Sequence, residues 1–181
     1  MTDVELIQNS LSGNDAAFRE IIDRYEAKVA ATVVSMLGNC PEADDVGQET
    51  FIRFYKNLKN FRGESSLGTY LTRIAMNLSL NELKRRKRQN RIIPLDDPGI
   101  SHQIIDHDSG NEKRDRHEIV QWAIAQLTPK FQSTLVLRMM KGYSTEETAK
   151  ILNLPTGTVL SRLARARGQL LKILEPYKEY I

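Results

Sequence analysis

Ser144-Thr145-Glu146-Glu147-Thr148-Ala149-Lys150-Ile151-Leu152-Asn153-Leu154-Pro155-Thr156-Gly157-Thr158-Val159-Leu160-Ser161-Arg162-Leu163-Ala164-Arg165-Ala166-Arg167 reads as two short helices joined by a tight turn. Ser144 suits an N-cap, and Glu147 three residues on completes a capping box. Ala149 is small enough for a close helix crossing. Asn153 tolerates the left-handed conformation that ends a helix, and Pro155 stands where the next begins. On the second helix each residue advances ~100°. Val159, Leu163, Ala166 and Leu170 then share one face, and Thr158, Ser161, Arg162, Arg165 and Gln169 another. The first set packs on the preceding helix and the second points outward. Cap, turn and two-faced basic helix together form a helix-turn-helix, a device for placing a helix in the DNA major groove. A plain amphipathic helix with a solvated basic face is the blander reading of the same residues.

Working outward, the chain has 181 residues, enough for one domain or two small ones. No apolar run is long enough to span a membrane, and the first residues carry acids where a secretory signal carries bases. One cysteine, Cys40, excludes an intramolecular disulfide; it is expected to pack near a helix end in a reducing, cytoplasmic setting. Few glycines and prolines among many Leu, Ala, Glu, Lys and Arg point to an all-α protein.

The formal net charge of +3 is unevenly placed. Residues 1–91 hold fourteen Lys/Arg against twelve Asp/Glu, and residues 112–181 hold twelve against seven. Residues 92–111 hold four aspartates and no Lys or Arg. Basic blocks point to nucleic acid. The segment 92–111 also carries two prolines and two glycines without helical periodicity, and reads as a flexible acidic linker. The expected organisation is therefore two small helical domains, 1–91 and 112–181, joined by the linker 92–111.

Four helices are expected before the linker. They cover roughly residues 3–11, a longer stretch after Asn14, a third opening at Pro41, and a fourth from about Ser66 to Arg88. After it, one helix covers about 112–127. Thr128-Pro129 caps the next, which carries Phe131, Leu135 and Met139 to near Gly142, and the helix-turn-helix pair follows. Trp122, Met139 and Met140 are read as core residues.

Three features of the first block ask for more than a core. Glu42, Asp44, Asp45, Gln48 and Glu49 crowd the start of the third helix. Acids there suit the helix dipole, and so dense a cluster also makes a docking face for a basic partner. A carboxylate metal site is disfavoured, because one helix supplies all the acids and no histidine is near. His102, His107 and His117 are read as solvated. The loop Phe61-Arg62-Gly63-Glu64-Ser65-Ser66-Leu67-Gly68-Thr69-Tyr70 mixes aromatic, glycine, hydroxyl and arginine groups, as a pocket for an unstacked base would; a plain interhelical loop is the alternative. Lys84-Arg85-Arg86-Lys87-Arg88 puts five cations at a helix end. Each adds at most about 1 kcal/mol there, so a phosphate-binding ridge explains them better.

These stretches together resemble the extracytoplasmic-function (ECF) group of bacterial sigma factors, in the sigma-70 family. The resemblance is carried by Ala43-Asp44-Asp45-Val46-Gly47-Gln48-Glu49-Thr50-Phe51, Phe61 to Ser66, Tyr70-Leu71-Thr72-Arg73-Ile74-Ala75-Met76-Asn77, and Leu154 to Arg167. They stand in the family's order and at its spacing on both sides of a linker. The resemblance implies that Asp44, Asp45, Gln48, Glu49 and Phe51 lie on the helix that docks to the clamp coiled coil of the RNA polymerase β′ subunit. It implies that Phe61, Arg62, Gly63, Glu64, Ser65 and Ser66 form the loop capturing a flipped base of the −10 element. Tyr70, Arg73 and Asn77, with Lys84, Arg85 and Arg86, would lie beside the melted strand. Thr156, Thr158, Ser161, Arg162 and Arg165 would read the −35 element, with the C-terminal domain on the β flap.

A two-domain factor is implied, without the intervening domain and N-terminal inhibitory region of larger sigma factors. The expected partners are core RNA polymerase, promoter DNA and an anti-sigma factor, with no membrane insertion and no cofactor or metal. Phosphodiester chemistry would belong to the polymerase, so the chain is not expected to be an enzyme. Gly47, Gly68, Tyr70 and Lys141 depart from the usual pattern. Without the resemblance, a stand-alone helix-turn-helix regulator and a metal-using nucleic-acid enzyme remain open; the first would bind an operator tightly without polymerase.

In the family the linker threads toward the RNA exit path; the charge block here leads to the hypothesis that its four aspartates mimic nucleic-acid charge in that basic channel. Replacing Asp96, Asp97, Asp106 and Asp108 by Asn is expected to weaken core binding and initiation, measured by core titration and in vitro transcription; unchanged values would remove the charge-mimic reading.

Overall fold

Two capping boxes mark where the sequence commits to helix. Thr2 Oγ1 accepts from the Glu5 N–H and the Glu5 carboxylate accepts from the Thr2 N–H, opening α1 (Asp3–Leu11). Ser144 and Glu147 do the same for α7 (Thr145–Leu152). The structure, a computed structural model, describes the backbone of residues 1–92 and 112–180 and the side chains of residues 1–89 and 116–179. The acidic linker, with Asp96, Asp97, Asp106, Asp108, His102 and His107, lies outside the described residues.

Every regular element among the described residues is helical. Asn14 caps α2 (Asp15–Leu37) through the Ala16 and Ala17 N–H groups. Pro41 occupies the first turn of α3 (Pro41–Lys56), which a 3-10 turn (Leu58–Asn60) follows. The remaining elements are α4 (Leu67–Ile92), α5 (Glu112–Ala125), α6 (Pro129–Leu135), and α8 (Thr156–Leu174).

Four sequence expectations are adjusted. The fourth helix continues past Arg88 to Ile92, because nothing breaks it until Pro94, which disfavours helix at the residue before it. The fifth ends at Ala125, two residues early, as the chain turns toward Pro129. Thr128 is the N-cap of α6 by its extended backbone, yet its hydroxyl makes no capping bond. Finally, α6 runs on as a π-helical turn (Val136–Met140). The wider turn shifts the buried face to Leu135, Val136 and Leu137 and leaves Met139, expected in the core, 60% exposed.

In the N-terminal unit α2, α3 and α4 pack on one another, with α1 laid against α2. Phe54 is fully buried at the centre of a ring cluster: Phe18 lies 6.1 Å away, Tyr70 5.9 Å and Phe61 6.2 Å. In the C-terminal unit α6 and α7 pack on α8, and Trp122 of α5 meets Tyr177 edge-on at 5.4 Å. The units are in contact. Here α4 packs on α6 and α7, and α2 on α5 and the π turn, so one buried apolar cluster runs from Leu6 to Ala166.

Phe54→Ala is expected to cost ~3–5 kcal/mol of folding stability by emptying the ring cluster, read from urea denaturation; a loss below ~1 kcal/mol would show that the cluster is not central.

Candidate nucleic-acid interface

The turn that joins α7 to α8 fixes the angle of the outward helix. Asn153 adopts the left-handed conformation (φ 53°, ψ 55°), and the Leu154 N–H returns to the Ala149 carbonyl at 2.9 Å. Val159 and Ala166 are buried against the neighbouring helices. That leaves Thr156, Ser161 and Arg165 exposed and Thr158 and Arg162 half-buried along the opposite face. Ser161 Oγ donates to the Thr158 carbonyl at 3.0 Å, so this hydroxyl is already held by its own helix. Arg162 and Arg165 form no ion pair among the described residues. Two unpaired guanidiniums on one helix face are suited to phosphate oxygens or to guanine O6 and N7.

The loop before α4 is fastened rather than loose. The Phe61 ring packs edge-on against Tyr70 at 5.0 Å and against Phe54 at 6.2 Å. Ser66 Oγ accepts from the Thr69 N–H at 3.2 Å and bonds the Thr69 hydroxyl at 2.9 Å, capping α4. Gly63 turns the chain at φ +71°, which side chains rarely adopt. Phe61, Gly63 and Ser66 thus shape the loop. Arg62 and Glu64 extend from it into solvent, Ser65 is half-buried, and Arg73 and Asn77 are exposed along α4. Rings and hydroxyls come together beside a row of exposed polar groups, the composition of a base-capture pocket.

Gly68, read from sequence as a small substitute for larger groups, sits in a tightly packed place where a side chain would make its neighbours shift. A Cβ there would lie 3.0 Å from Lys28 Nζ and 3.1 Å from the Tyr25 ring. Burial, and then a 2.5 Å hydrogen bond to Asp3, push the Tyr25 phenol up to about 12. It therefore stays a neutral donor that ties α2 to the start of α1.

The basic ridge divides into two kinds of residue. Lys84, Lys87 and Arg88 are exposed. Arg85 is paired with Glu82 at 2.7 Å. Arg86 is half-buried: it donates to the Leu37 carbonyl at 3.2 Å and to Cys40 Sγ at 3.0 Å, and pairs with Glu82 and Glu42. Arg85 and then Arg86 hold the Glu82 carboxyl below the usual carboxylate range, against the opposing effect of burial. Cys40, expected only to fill space, receives this guanidinium at the N-cap of α3. Sequence reading missed Glu82, although its three- and four-residue spacing to Arg85 and Arg86 was available.

Along α3, Asp44, Asp45 and Gln48 are exposed, and Glu49 bridges to Arg53 at 2.7 Å. Phe51 is 8% exposed and belongs mainly to the core. Beside the acids lies an open apolar groove that the sequence reading did not anticipate, formed by Phe18, Ile22, Phe51, Ile52 and Tyr55. Ile52 and Tyr55 are 46% and 49% exposed. An acidic edge next to exposed apolar groups is a protein-docking composition. No group of three or more His, Cys, Asp or Glu suited to a metal occurs among the described residues. No helix among them is long and apolar enough to cross a membrane.

Residues 21–89 match the model of sigma-70 region 2, and residues 117–170 that of sigma-70 region 4. The RNA polymerase sigma-H factor of Pseudomonas aeruginosa is 35% identical over 96% of this chain and 94% of its own length. The ECF RNA polymerase sigma factor SigW of Bacillus subtilis is 31% identical over 93% and 94%. Among solved structures, CnrH in complex with the cytosolic domain of CnrY superposes with a TM-score of 0.69 at 25% identity, covering 96% of this chain and 97% of that one. The sigma factor RpoE of Bartonella quintana, in complex with the anti-sigma factor NepR, gives 0.68 at 21% identity over 87% and 96%, a likeness of fold.

Arg86→Ala is expected to lower folding stability by ~1–2 kcal/mol through lost charge-assisted hydrogen bonds, whereas Lys84→Ala and Lys87→Ala stay within ~0.5 kcal/mol. Thermal melts of the three variants decide it; equal effects would return Arg86 to the free basic ridge.

Proposed function

The chain belongs to the ECF group of the sigma-70 family, whose members direct transcription initiation by RNA polymerase, and from that premise we propose how its residues divide the work. The unit 1–91 docks to core polymerase and holds the opened −10 strand; the unit 112–181 reads the −35 duplex. The observation that carries this division is the pair of guanidiniums without ion pairs among the described residues, Arg165 exposed and Arg162 half-buried, on the outward face of a helix whose other face is buried.

Docking uses the exposed carboxylates of Asp44 and Asp45 with Gln48 and Glu49 against the β′ clamp coiled coil. The adjoining Ile52 and Tyr55 supply apolar area that those polar groups lack. Phe51 positions the helix from beneath. The C-terminal unit rests on the β flap. On the duplex, Thr156, Thr158, Ser161, Arg162 and Arg165 contact base edges and phosphates. At −10, Arg62, Glu64 and Ser65 face a base leaving the stack, on a loop that Phe61, Gly63 and Ser66 hold in shape. Tyr70, Arg73 and Asn77 follow the strand along α4. Unstacking costs a few kcal/mol per base, and capture of the single strand offsets it, so melting follows from binding the opened product.

Of the ridge, Lys84 and Lys87 are the free phosphate contacts. Arg85 reaches DNA only by leaving Glu82, and Arg86 supports the ridge from within. The chain contributes no catalytic group, and the bond-forming chemistry is the polymerase's. Its place of action is the cytoplasm. Because the Bartonella quintana relative was solved with the anti-sigma factor NepR, an anti-sigma protein is the expected inhibitor here too.

Arg162→Ala and Arg165→Ala are each expected to cut −35-dependent initiation by ~10–100-fold, the worth of one bidentate base contact, with core binding retained. Asp45→Arg combined with Glu49→Arg is expected to abolish core binding. In vitro transcription with core polymerase on a randomised promoter library, beside co-purification with core, measures both. Loss of core binding in the arginine variants, or its survival in the charge-reversed one, would reverse the assignments.

A further inference from the structure

The helix proposed to read the −35 duplex carries one side chain that polar recognition does not use. Leu160 is 56% exposed. Among the described residues of the helix-turn-helix, 145–167, no other branched aliphatic side chain is exposed. We propose that Leu160 is a specificity residue: on DNA its side chain packs against the 5-methyl group of a thymine in the −35 element and so selects that base. The inference rests on the −35 assignment above and adds which base one residue of that helix demands.

A solitary exposed leucine elsewhere on a surface needs no explanation. Leu160 lies in the second turn of α8 (Thr156–Leu174), and the first turns of such a helix are the ones that meet base edges. At ~100° per residue, Leu160 stands about 100° round the helix from the buried Val159, with Thr156 and Arg167 within about 40° of it. Thr156 and Arg167 are exposed on that flank, and Arg167 forms no ion pair among the described residues. Thr158 and Arg162, both half-buried, fall on the opposite flank. The crest between the flanks is low: Gly157, Ser161, Ala164 and Gly168 are all exposed, and none is larger than serine. A Cβ at Gly157 or Gly168 would meet nothing within 4 Å, so packing inside the chain asks for neither glycine. Glycine within a helix is destabilising, and its use on this crest suits a close approach from outside. A helix with a low crest seats deep in the major groove and brings both flanks, Leu160 included, to the base edges.

The chemistry of the side chain then names the base. Leucine neither donates nor accepts a hydrogen bond, so it cannot read the acceptors of guanine, the amino group of cytosine or the mixed pattern of adenine. Thymine alone among the four bases presents a carbon group, its 5-methyl, in the major groove. Contact with it removes apolar surface of both partners from water. Leucine placed over cytosine would strip water from the N4 amine and offer no acceptor in return, and over a purine it would do the same to N7. Selection is therefore attraction to thymine combined with a penalty against the other three bases. Arg162 and Arg165 suit acceptors on guanine or phosphate, and Leu160 suits the one major-groove feature that no cation recognises.

Deoxyuridine separates the methyl group from everything else about thymine, because it pairs with adenine and lacks only that group. In vitro transcription with core polymerase, on a promoter library randomised through the −35 element, first locates the position. Wild type is expected to show a thymine preference, on one strand or the other, that flattens in Leu160→Ala and persists in Leu160→Met. Replacing that thymine by deoxyuridine is then expected to lower wild-type initiation ~3–5-fold, the worth of one buried methyl group, and to leave Leu160→Ala unchanged. Wild type indifferent to deoxyuridine at every −35 thymine, or Leu160→Ala as sensitive as wild type, would overturn the inference. So would an equal loss on all templates in Leu160→Ala together with weaker core binding, which would make Leu160 a contact to polymerase. Arg165→Ala is measured alongside. If it leaves −35 dependence intact, the reading face is wrongly placed and both readings fall; if it loses −35 dependence while wild type ignores deoxyuridine, only the Leu160 contact falls.

Discussion

The carbonyl end of α2 is where the molecule is joined. A helix leaves its last four carbonyls without internal partners, and burying them unsatisfied is costly. Here the four are met from three different parts of the chain. Val34 accepts from the Gly38 N–H, Leu37 from Arg86 of α4, and Ser35 and Met36 from Gln132 of α6. One backbone requirement thereby fixes the turn into the docking helix, the root of the basic ridge and the seat of the C-terminal unit. Arg86 reaches on to Cys40 and Glu42, so the start of α3 is tied to the same point.

The same economy governs the loop before α4, for which we propose −10 base capture. A loop that must hold a base cannot collapse onto its own aromatics, yet it needs a fixed shape before the base arrives. The ring cluster separates the two tasks. Phe61 and Tyr70 are turned against Phe54 and each other, and Ser66 is occupied with the cap of α4. The polar residues between them remain outside. Rigid support below and exposed polar groups above would, on the proposed assignment, let binding energy go into base capture rather than loop ordering.

Local chemistry was legible in the sequence and tertiary chemistry was not. The capping residue Ser144, the helix start after Asn14, the left-handed Asn153 and the two faces of α8 are local readings, and the structure agrees with them. Met139 was misplaced because a π turn breaks the 3.6-residue period on which the expectation relied. Arg86 looked like its four basic neighbours, since nothing local says that one of them points at the end of a helix far earlier in the chain. Gly68 looked like a missing side chain until Lys28 and Tyr25 were seen in its place. Tyr143 is the extreme case: its partners Lys28 and Thr72 lie in the other unit. Such contacts depend on the docking of whole helices, which periodicity does not encode.

Packing between the units and DNA reading place opposite demands on a surface. Reading DNA requires cations and hydroxyls that stay hydrated and unpaired, and such groups make a poor permanent interface. The chain resolves this by joining the units through a shared buried apolar cluster and mostly different polar residues. Tyr143, Gln132, Thr72 and Lys28 hold the units together, and none belongs to the proposed reading set. Arg162, Arg165 and the exposed Arg73 form no ion pair among the described residues. The contact between the units therefore leaves the chemistry of the proposed reading residues unspent.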